Sequence, residues 1–329
     1  MNESQSPCLD ETVRGAADGG PSTLLTSRSR PIPLGFIAGA GYSGSTLTAF
    51  ILNTHPTIFS PGEMGPVAAF ERDDYPCSCG AALIACPFFA SVAETMSRKG
   101  VDFDLRHWRL NYRFSRNPYV ERLLRLAFAN PRVEMLHRAA YALVRPYRRL
   151  VASHHRRLHA FVQAVLEMSG KEICLDATKA PARVSGLRRI PAFNLRVIHL
   201  VRDPRGYCNS ARRRLRQSLP ESAHVWVRTN LLVHRQIRAL AADTWIRVRY
   251  ESLCGDPERE FPRVAAFLGA DGFQMPDDFR ACSHHIIGNK MRLPADGRSR
   301  VIADETWKTD LSADERRYVA KVSGPLARR

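Results

Sequence analysis

The segment from Gly39 to Thr46 combines residue types that bind phosphate groups. It reads Gly-Ala-Gly-Tyr-Ser-Gly-Ser-Thr, follows the apolar run Leu34–Ala38 and opens a helix-like run. A glycine-rich turn between a strand and a helix presents backbone N–H groups and a helix N-terminus to an anion. The segment departs from a P-loop, G-x-x-x-x-G-K-[ST], because Ser45 stands at the lysine position. Since nucleoside triphosphatases use that lysine on the β- and γ-phosphates, the loop predicts a phosphate in a different chemical setting.

A second pair of candidates follows the strand-like run that ends at Val201. Asp203 is a good helix N-cap and Pro204 fits the first helical position, so Arg202 should end a strand. Ser210 comes about two helical turns later, where both side chains can face one crevice. An arginine fork beside a hydroxyl suits a terminal phosphate. Taken alone such an arginine is usually an ion-pair partner, but downstream of a phosphate loop the pair predicts a second phosphate site.

Two charged side chains could act on a transferred group. Lys179 follows the apolar run Glu172–Leu175, and Glu63 follows the short run Thr57–Ser60. A carboxylate on a tight turn near a nucleotide could accept a proton from an alcohol. The structural alternatives are a surface lysine beside a turn and a helix-capping glutamate.

Strand-like runs alternate with helix-like runs along the chain, which predicts an α/β fold. We expect a single domain with a central, mostly parallel sheet, helices on both faces, a P-loop-like nucleotide site and a helical insertion. In such sheets ligands bind at the carboxyl ends of strands, where all the candidates lie. The predicted strands are 34–38, 57–60, 172–175, 196–201 and 245–250, and the helices are 45–53, 182–189, 204–217, 221–241 and 257–268.

The domain should span residues 32–329, after a polar tail, 1–31, that we expect to be disordered. Residues 118–169 carry apolar side chains at helical spacing, and Pro146 should break or kink that run. We assign 71–170 to a loop and helical insertion on the acceptor side. It is either a solvated helical insertion or an acceptor-binding lid.

Residues 71–100 read as a loop that contains Cys77, Cys79 and Cys86. The spacing C-x-C-x₆-C lacks a clear fourth ligand and is unusual for structural zinc. We favour a structural loop, with zinc binding and a disulfide as open alternatives.

The composition favours anionic partners. The net charge is +17, from 49 Lys+Arg against 32 Asp+Glu, with clusters at 145–157 and 202–216. A basic solvated surface is the alternative explanation. The mostly isolated cysteines suit a reducing compartment. No apolar stretch is long enough for a membrane span, and no secretory signal is visible. We therefore expect a soluble, cytoplasmic protein.

Together these motifs resemble the PAPS-dependent sulfotransferases of the bacterial type, over about residues 33–310. These enzymes transfer a sulfuryl group from 3′-phosphoadenosine 5′-phosphosulfate (PAPS) to a hydroxyl or amine. The resemblance implies a P-loop-like fold and one set of donor-binding residues. The 5′-phosphosulfate would be held by the loop residues Gly41, Tyr42, Ser43, Gly44, Ser45 and Thr46, and the 3′-phosphate by Arg202 and Ser210. Tyr250 would begin the segment after the 3′-phosphate site. The loop that closes over the nucleotide would contain Gly288, Asn289 and Arg292, followed by Asp304 and Trp307.

The resemblance also implies catalytic roles. As in tyrosylprotein sulfotransferases, Glu63 would be the base and Lys179 the electrostatic stabiliser, whereas many other family members use a histidine as base. Tyr42 departs from the family, which mostly has Arg or Lys at that position. Lys179, Arg205 or Arg292 could supply the missing positive charge.

The predicted function is sulfuryl transfer from PAPS, with no metal, to an acceptor that is a glycan, lipid, peptide or small molecule. The expected partners are the donor nucleotide and this acceptor, and we do not expect the chain to bind nucleic acid. Two alternatives stay open. One is a P-loop kinase or NTPase, in which Asp176 or Asp203 would bind Mg²⁺. The other is a non-catalytic basic module that binds nucleic acid or an anionic glycan.

Overall fold

Five parallel strands form the centre of the computed structural model, in the order β2-β3-β1-β4-β5. They are β1 (Ile32–Gly39), β2 (Ile58–Gly62), β3 (Ile173–Lys179), β4 (Phe193–Val201) and β5 (Trp245–Arg249). The structure describes residues 30–64, 74–112, 114–115, 117–124, 131–279, 284–286, 288 and 301–327. The predicted tail, apart from its last two residues, lies outside this part of the chain.

Helices cover both faces of the sheet. Leu34, Phe36 and Ala38 of β1 pack into one apolar cluster, whereas Ile37 packs into another on the opposite face. Strands buried on both faces are typical of a parallel sheet, so the predicted α/β domain is confirmed. The helices are α1 (Ser45–Asn53), α2 (Pro87–Arg98), α3 (Pro118–Leu124), α4 (Pro131–Leu143), α5 (Arg145–Ser169), α6 (Pro181–Leu187), α7 (Pro204–Leu215), α8 (Leu219–Ile237), α9 (Tyr250–Gly255), α10 (Pro257–Leu268), α11 (Trp307–Asp310) and α12 (Ala313–Ala327).

The insertion differs in part from the sequence prediction. The prediction of a loop over 71–100 is wrong for α2, because Phe89, Val92 and Met96 form a buried stripe at helical spacing. The predicted break near Pro146 is found between α4 and α5, at Val144. Within the described part of the chain, no helix combines the length and the apolar character that crossing a membrane requires.

The candidate residues converge because their strands are neighbours. The loop after β1 leaves the middle of the sheet, Glu63 follows β2, Lys179 ends β3 and Arg202 follows β4. In a parallel sheet all these strand ends point to one edge. Register alone therefore brings together side chains that are far apart in the sequence.

Candidate active site

The loop between β1 and α1 presents polar groups that lack a protein partner. Gly44 occupies the N-cap of α1, where no side chain caps the helix, and the first turn contains no acidic residue. The Ser43 hydroxyl is 1% exposed and has no hydrogen-bond partner among the described residues. The first N–H groups of a helix need an acceptor, and a buried hydroxyl without a partner is costly. Such a loop suits an anionic group.

Tyr250 and Gly288 border this loop. A Cβ atom on Gly44, which has φ 90°, would lie 2.5 Å from Cδ2 of Tyr250. A Cβ atom on Gly288 would lie 2.7 Å from Oγ1 of Thr46. Only glycine fits such close approaches, so the packing requires Gly44 and Gly288. The space beside Gly41 is open, with no other atom within 4 Å of its Cβ position. Asn289 and Arg292 lie outside the described residues.

Tyr42 adopts a left-handed backbone conformation with φ 56°. Its carbonyl accepts a hydrogen bond from Nη1 of Arg202 at 2.8 Å, and the Arg214 guanidinium lies 6.0 Å from its ring centroid. Burial raises the pKa of Tyr42, while Arg214 opposes this rise and Glu63 adds to it. The phenol therefore lies within the electrostatic reach of both groups. Arg202 and Arg214 both bring positive charge near Tyr42, and neither was among the compensating cations expected from the sequence.

Arg202 and Ser210 do face one point, as their spacing predicts. The Arg202 side chain is almost fully buried, and its Nη1 donates to Oγ of Ser210 at 3.2 Å. Its guanidinium also stacks on Tyr250, 4.5 Å from the ring centroid. The stacking and the hydrogen bonds hold the arginine fork in one orientation.

The carboxylate of Asp304 occupies the point that Arg202 and Ser210 share. Its Oδ2 lies 3.1 Å from Nη2 of Arg202 and accepts a hydrogen bond from Oγ of Ser210 at 3.5 Å. Burial raises the pKa of Asp304, but hydrogen bonds from Thr306 and Arg202 outweigh it and hold the pKa below its usual value. The backbone N–H of Asp304 donates to the hydroxyl of Tyr250. An internal anion thus lies where the sequence predicts a phosphate.

Glu63 and Lys179 form an ion pair across the ends of β2 and β3. Their side chains are 23% and 14% exposed, so a ligand can reach them. The Lys179 ammonium also donates to the carbonyl of Ala177 at 3.2 Å. Because an ammonium has three donors, one N–H has no partner among the described residues. Lys179 has φ 70°, and such backbone strain costs about 1–3 kcal/mol and clusters at functional sites.

The two aspartates that a kinase would need for Mg²⁺ are already engaged. Asp176 is fully buried and forms an ion pair with Arg183. Asp203 caps α7 through a hydrogen bond from the backbone N–H of Arg205 and pairs with its guanidinium at 2.6 Å. Magnesium binds poorly where carboxylates are committed to arginine, so the geometry disfavours a P-loop kinase.

The sequence model described as the sulfotransferase family matches residues 33–274 of the chain. The chain belongs to this family. The match includes the loop after β1, Glu63, Lys179 and the Arg202–Ser210 pair, and it ends before Asp304. Family membership supports a transferase as the class of this chain.

Solved structures of sulfotransferases are similar to the chain at low sequence identity. The domain from the curacin biosynthetic pathway shares 18% identity over 90% of this chain and 98% of that one, with a TM-score of 0.49. The domain from the Synechococcus PCC 7002 olefin synthase shares 19% over 91% and 97%, with a TM-score of 0.46. STF9 from Mycobacterium avium shares 13% over 91% and 76%, with a TM-score of 0.42. No curated protein sequence matches the chain significantly. At these values the neighbours give no information about the substrate.

Two residues near the candidate sites were missed from the sequence. Arg214 follows Ser210 by four residues, so the helical period would have placed both on one face of α7. His284 lies beside the three cysteines of the insertion, with Nδ1 3.4 Å from Sγ of Cys86. No local pattern connects His284 to Cys86, because the two residues are 198 positions apart. The thiols of Cys77, Cys79 and Cys86 are free, so the disulfide alternative is not what the structure shows.

Proposed function

We propose that the chain transfers a sulfuryl group from PAPS to an acceptor hydroxyl or amine. One observation carries this proposal: the Glu63–Lys179 pair and the Arg202–Ser210 pair lie at one sheet edge, with the loop after β1 between them. The first pair offers a base and a cation, and the second offers a phosphate site. The family supports the general class of reaction, and this arrangement supports the donor.

The donor proposal follows from the separation of the two anion sites. PAPS carries one phosphate on the 3′ oxygen and a phosphosulfate on the 5′ oxygen, so it needs two sites. The N-terminus of α1 and the Ser43 hydroxyl would take the 5′ group. Arg202 and Ser210 would take the 3′-phosphate through charge-assisted hydrogen bonds. A nucleoside triphosphate has all its phosphates at one end and would leave Arg202 unused.

The transfer step requires a base, a cation and an in-line acceptor. The acceptor oxygen forms a bond to sulfur while the bond between sulfur and the 5′-phosphate oxygen breaks, which releases 3′,5′-ADP. Glu63 accepts the proton of the acceptor hydroxyl and contributes about 10²–10⁴-fold to the rate. The third N–H of Lys179 would stabilise the charge on the transferring oxygens. An acceptor amine would lose its proton in the same way.

The 3′-phosphate would compete with the Asp304 carboxylate for Arg202. Two anions at one arginine repel each other, so donor binding would weaken the Arg202–Asp304 contact. The free chain therefore keeps a buried arginine paired until the donor arrives. This exchange would couple donor binding to the position of the segment that carries Asp304.

The acceptor side is assigned by position. We propose that residues 71–170 contribute the acceptor surface of a single domain that spans 32–329. Acceptor pockets are built from insertions and loops, so the fold itself does not identify the acceptor. Glycans, lipids, peptides and small alcohols are the classes to screen.

The test is transfer of label from ³⁵S-PAPS to pools of these four classes. We expect the wild-type chain to label one pool and the Glu63→Gln variant to bind 3′,5′-ADP without labelling it. Glu258→Gln, exposed on α10 and outside residues 71–170, is the matched control and should behave as wild type. Wild-type binding of ATP·Mg²⁺ with no binding of 3′,5′-ADP would overturn the donor proposal.

A further inference from the structure

Four potential metal ligands meet where the 284–286 segment packs against the Cys-x-Cys turn of the insertion. They are Cys77, Cys79, Cys86 and His284, and their ligand atoms all lie within 4.8 Å of one another. We propose that these four residues bind one Zn²⁺ ion at a structural site. The proposal is independent of the sulfuryl donor and replaces our expectation of a simple structural loop without metal.

The distances between the ligand atoms match a tetrahedral site. Sγ of Cys86 lies 3.8 Å from Sγ of Cys77 and 3.8 Å from Sγ of Cys79. Nδ1 of His284 lies 3.4 Å from Sγ of Cys86 and 3.9 Å from Sγ of Cys77. With Zn–S of about 2.3 Å and Zn–N of about 2.0–2.1 Å, tetrahedral ligands stand about 3.5–3.8 Å apart. A disulfide would need sulfur atoms about 2.05 Å apart.

The backbone holds the three cysteines in place without a metal. The N–H of Cys77 donates to the carbonyl of Ala81, and the N–H of Gly80 donates back to the carbonyl of Cys77. Gly80 has φ 92°, which closes this tight turn and directs Cys77 and Cys79 to one side. Cys86 precedes the first residue of α2, and a helix N-terminus favours a thiolate. The turn and the start of α2 therefore position three of the four proposed ligands.

His284 is held against the cysteines by its neighbours. Its ring stacks on Phe88, with 4.7 Å between centroids and 10° between planes. The backbone N–H of His285 donates to Oγ of Ser78, and the N–H of Ser78 donates to the carbonyl of His285. These hydrogen bonds connect the 284–286 segment to the Cys-x-Cys turn. The imidazole orientation is thus set by packing, as metal sites require.

The ligand set indicates the metal and its role. Three thiolates and one imidazole are soft and borderline donors, which select Zn²⁺ over Mg²⁺ or Ca²⁺. All four positions of the tetrahedron would be filled by protein, so no position stays open for catalysis. Cys77 and Cys86 are fully buried, whereas Cys79 is exposed and leaves a path for the ion.

A metal here would fix a segment that approaches the candidate active site. The N–H of Ile286 donates to the carbonyl of Pro61, two residues before Glu63, at 3.0 Å. The hydroxyl of Tyr75 donates to the carbonyl of Ile286 at 2.9 Å. Zinc that binds the folded chain but not the unfolded chain raises the free energy of unfolding. We therefore expect chelation to lower the melting temperature and to loosen the segment beside Glu63.

The first measurement is the metal content of the wild-type chain, purified without chelator or added metal. Elemental analysis should find about one zinc ion per chain, and Co²⁺ should replace it with the strong visible absorption of a tetrahedral thiolate site. Absence of both, with the three thiols reactive or joined in a disulfide, would overturn the proposal. Because it uses wild-type protein, this result does not depend on how a variant folds.

The second measurement uses matched variants. Cys86→Ser should lose zinc and the cobalt absorption, and His284→Gln, which removes the nitrogen ligand, should weaken zinc binding. Cys254→Ser changes a half-buried free cysteine outside the cluster and should keep the full zinc content. Full zinc content in Cys86→Ser would assign the metal to other residues. Zinc content is measured without PAPS, so a failure of the zinc proposal can be distinguished from a failure of the proposed transfer reaction.

Discussion

Two of the ion pairs at the carboxyl edge of the sheet, Lys179–Glu63 and Arg202–Asp304, are built in different ways. Lys179 and Glu63 both come from the ends of paired neighbouring strands, so the sheet holds their backbones together. Arg202 comes from a strand end as well, but Asp304 comes from a segment 102 residues later in the chain. The first pair is suited to remain in place through a reaction. The second pair is suited to exchange its internal carboxylate for a ligand.

Removing the carboxylate of the Lys179–Glu63 pair should have the largest effect. We expect Glu63→Gln to lower turnover about 10²–10⁴-fold, because the amide cannot accept the acceptor proton. Binding of 3′,5′-ADP, measured by calorimetry, should stay within about threefold of wild type. Full turnover in this variant would reassign the base.

Removing the cation of the Arg202–Asp304 pair should act on binding instead. Arg202→Ala should weaken 3′,5′-ADP binding by about 1.5–3 kcal/mol, the range for a hydrogen bond to a charged group. Calorimetric titration measures this change, and Arg259→Ala, an exposed arginine on α10, provides the control. An unchanged affinity for the nucleotide would remove Arg202 from the site.

The hydroxyl that shares the phosphate site should contribute less. Ser210→Ala removes one hydroxyl donor and should weaken 3′,5′-ADP binding by about 1.5 kcal/mol, the low end of the range for a hydrogen bond to a charged group. Binding of 5′-AMP, which has no 3′-phosphate, should not change. A matching loss for both nucleotides would place Ser210 near the 5′ group.

Removing the internal carboxylate should have the smallest effect, and the opposite sign. Asp304→Asn removes the anion that competes with the phosphate, so 3′,5′-ADP should bind up to about fivefold more tightly. The gain is limited because the Asp304 side chain is 38% exposed and its charge is screened. Weaker binding in calorimetry would show that Asp304 supports the nucleotide site rather than occupying it.

Local patterns predicted the parts of this molecule that depend on strand register. The strands β2, β3 and β4 read as apolar runs; Glu63 follows β2, Lys179 ends β3 and Arg202 follows β4. Once the sheet is parallel, those residues must meet. The Ser210 position followed in the same way from helical period alone.

The individual contacts of the C-terminal segment could not be predicted, because they depend on its path through space. The family resemblance implies that the segment with Asp304 and Trp307 closes over the nucleotide, but no local pattern pairs the Asp304 carboxylate with Arg202 or His284 with Cys86. The α2 helix was missed for a different reason. The nearby cysteines and glycine indicated a loop, and they masked the stripe of Phe89, Val92 and Met96.

Above all, we propose that the carboxyl edge of the sheet binds a nucleotide with phosphates at both its 3′ and 5′ positions. The most direct test compares the melting temperature of the free chain with 3′,5′-ADP and with ATP·Mg²⁺ at equal concentrations. We expect 3′,5′-ADP to raise the melting temperature by an amount that increases with its concentration, and ATP·Mg²⁺ to raise the melting temperature far less. Stabilisation by ATP·Mg²⁺ alone would contradict it.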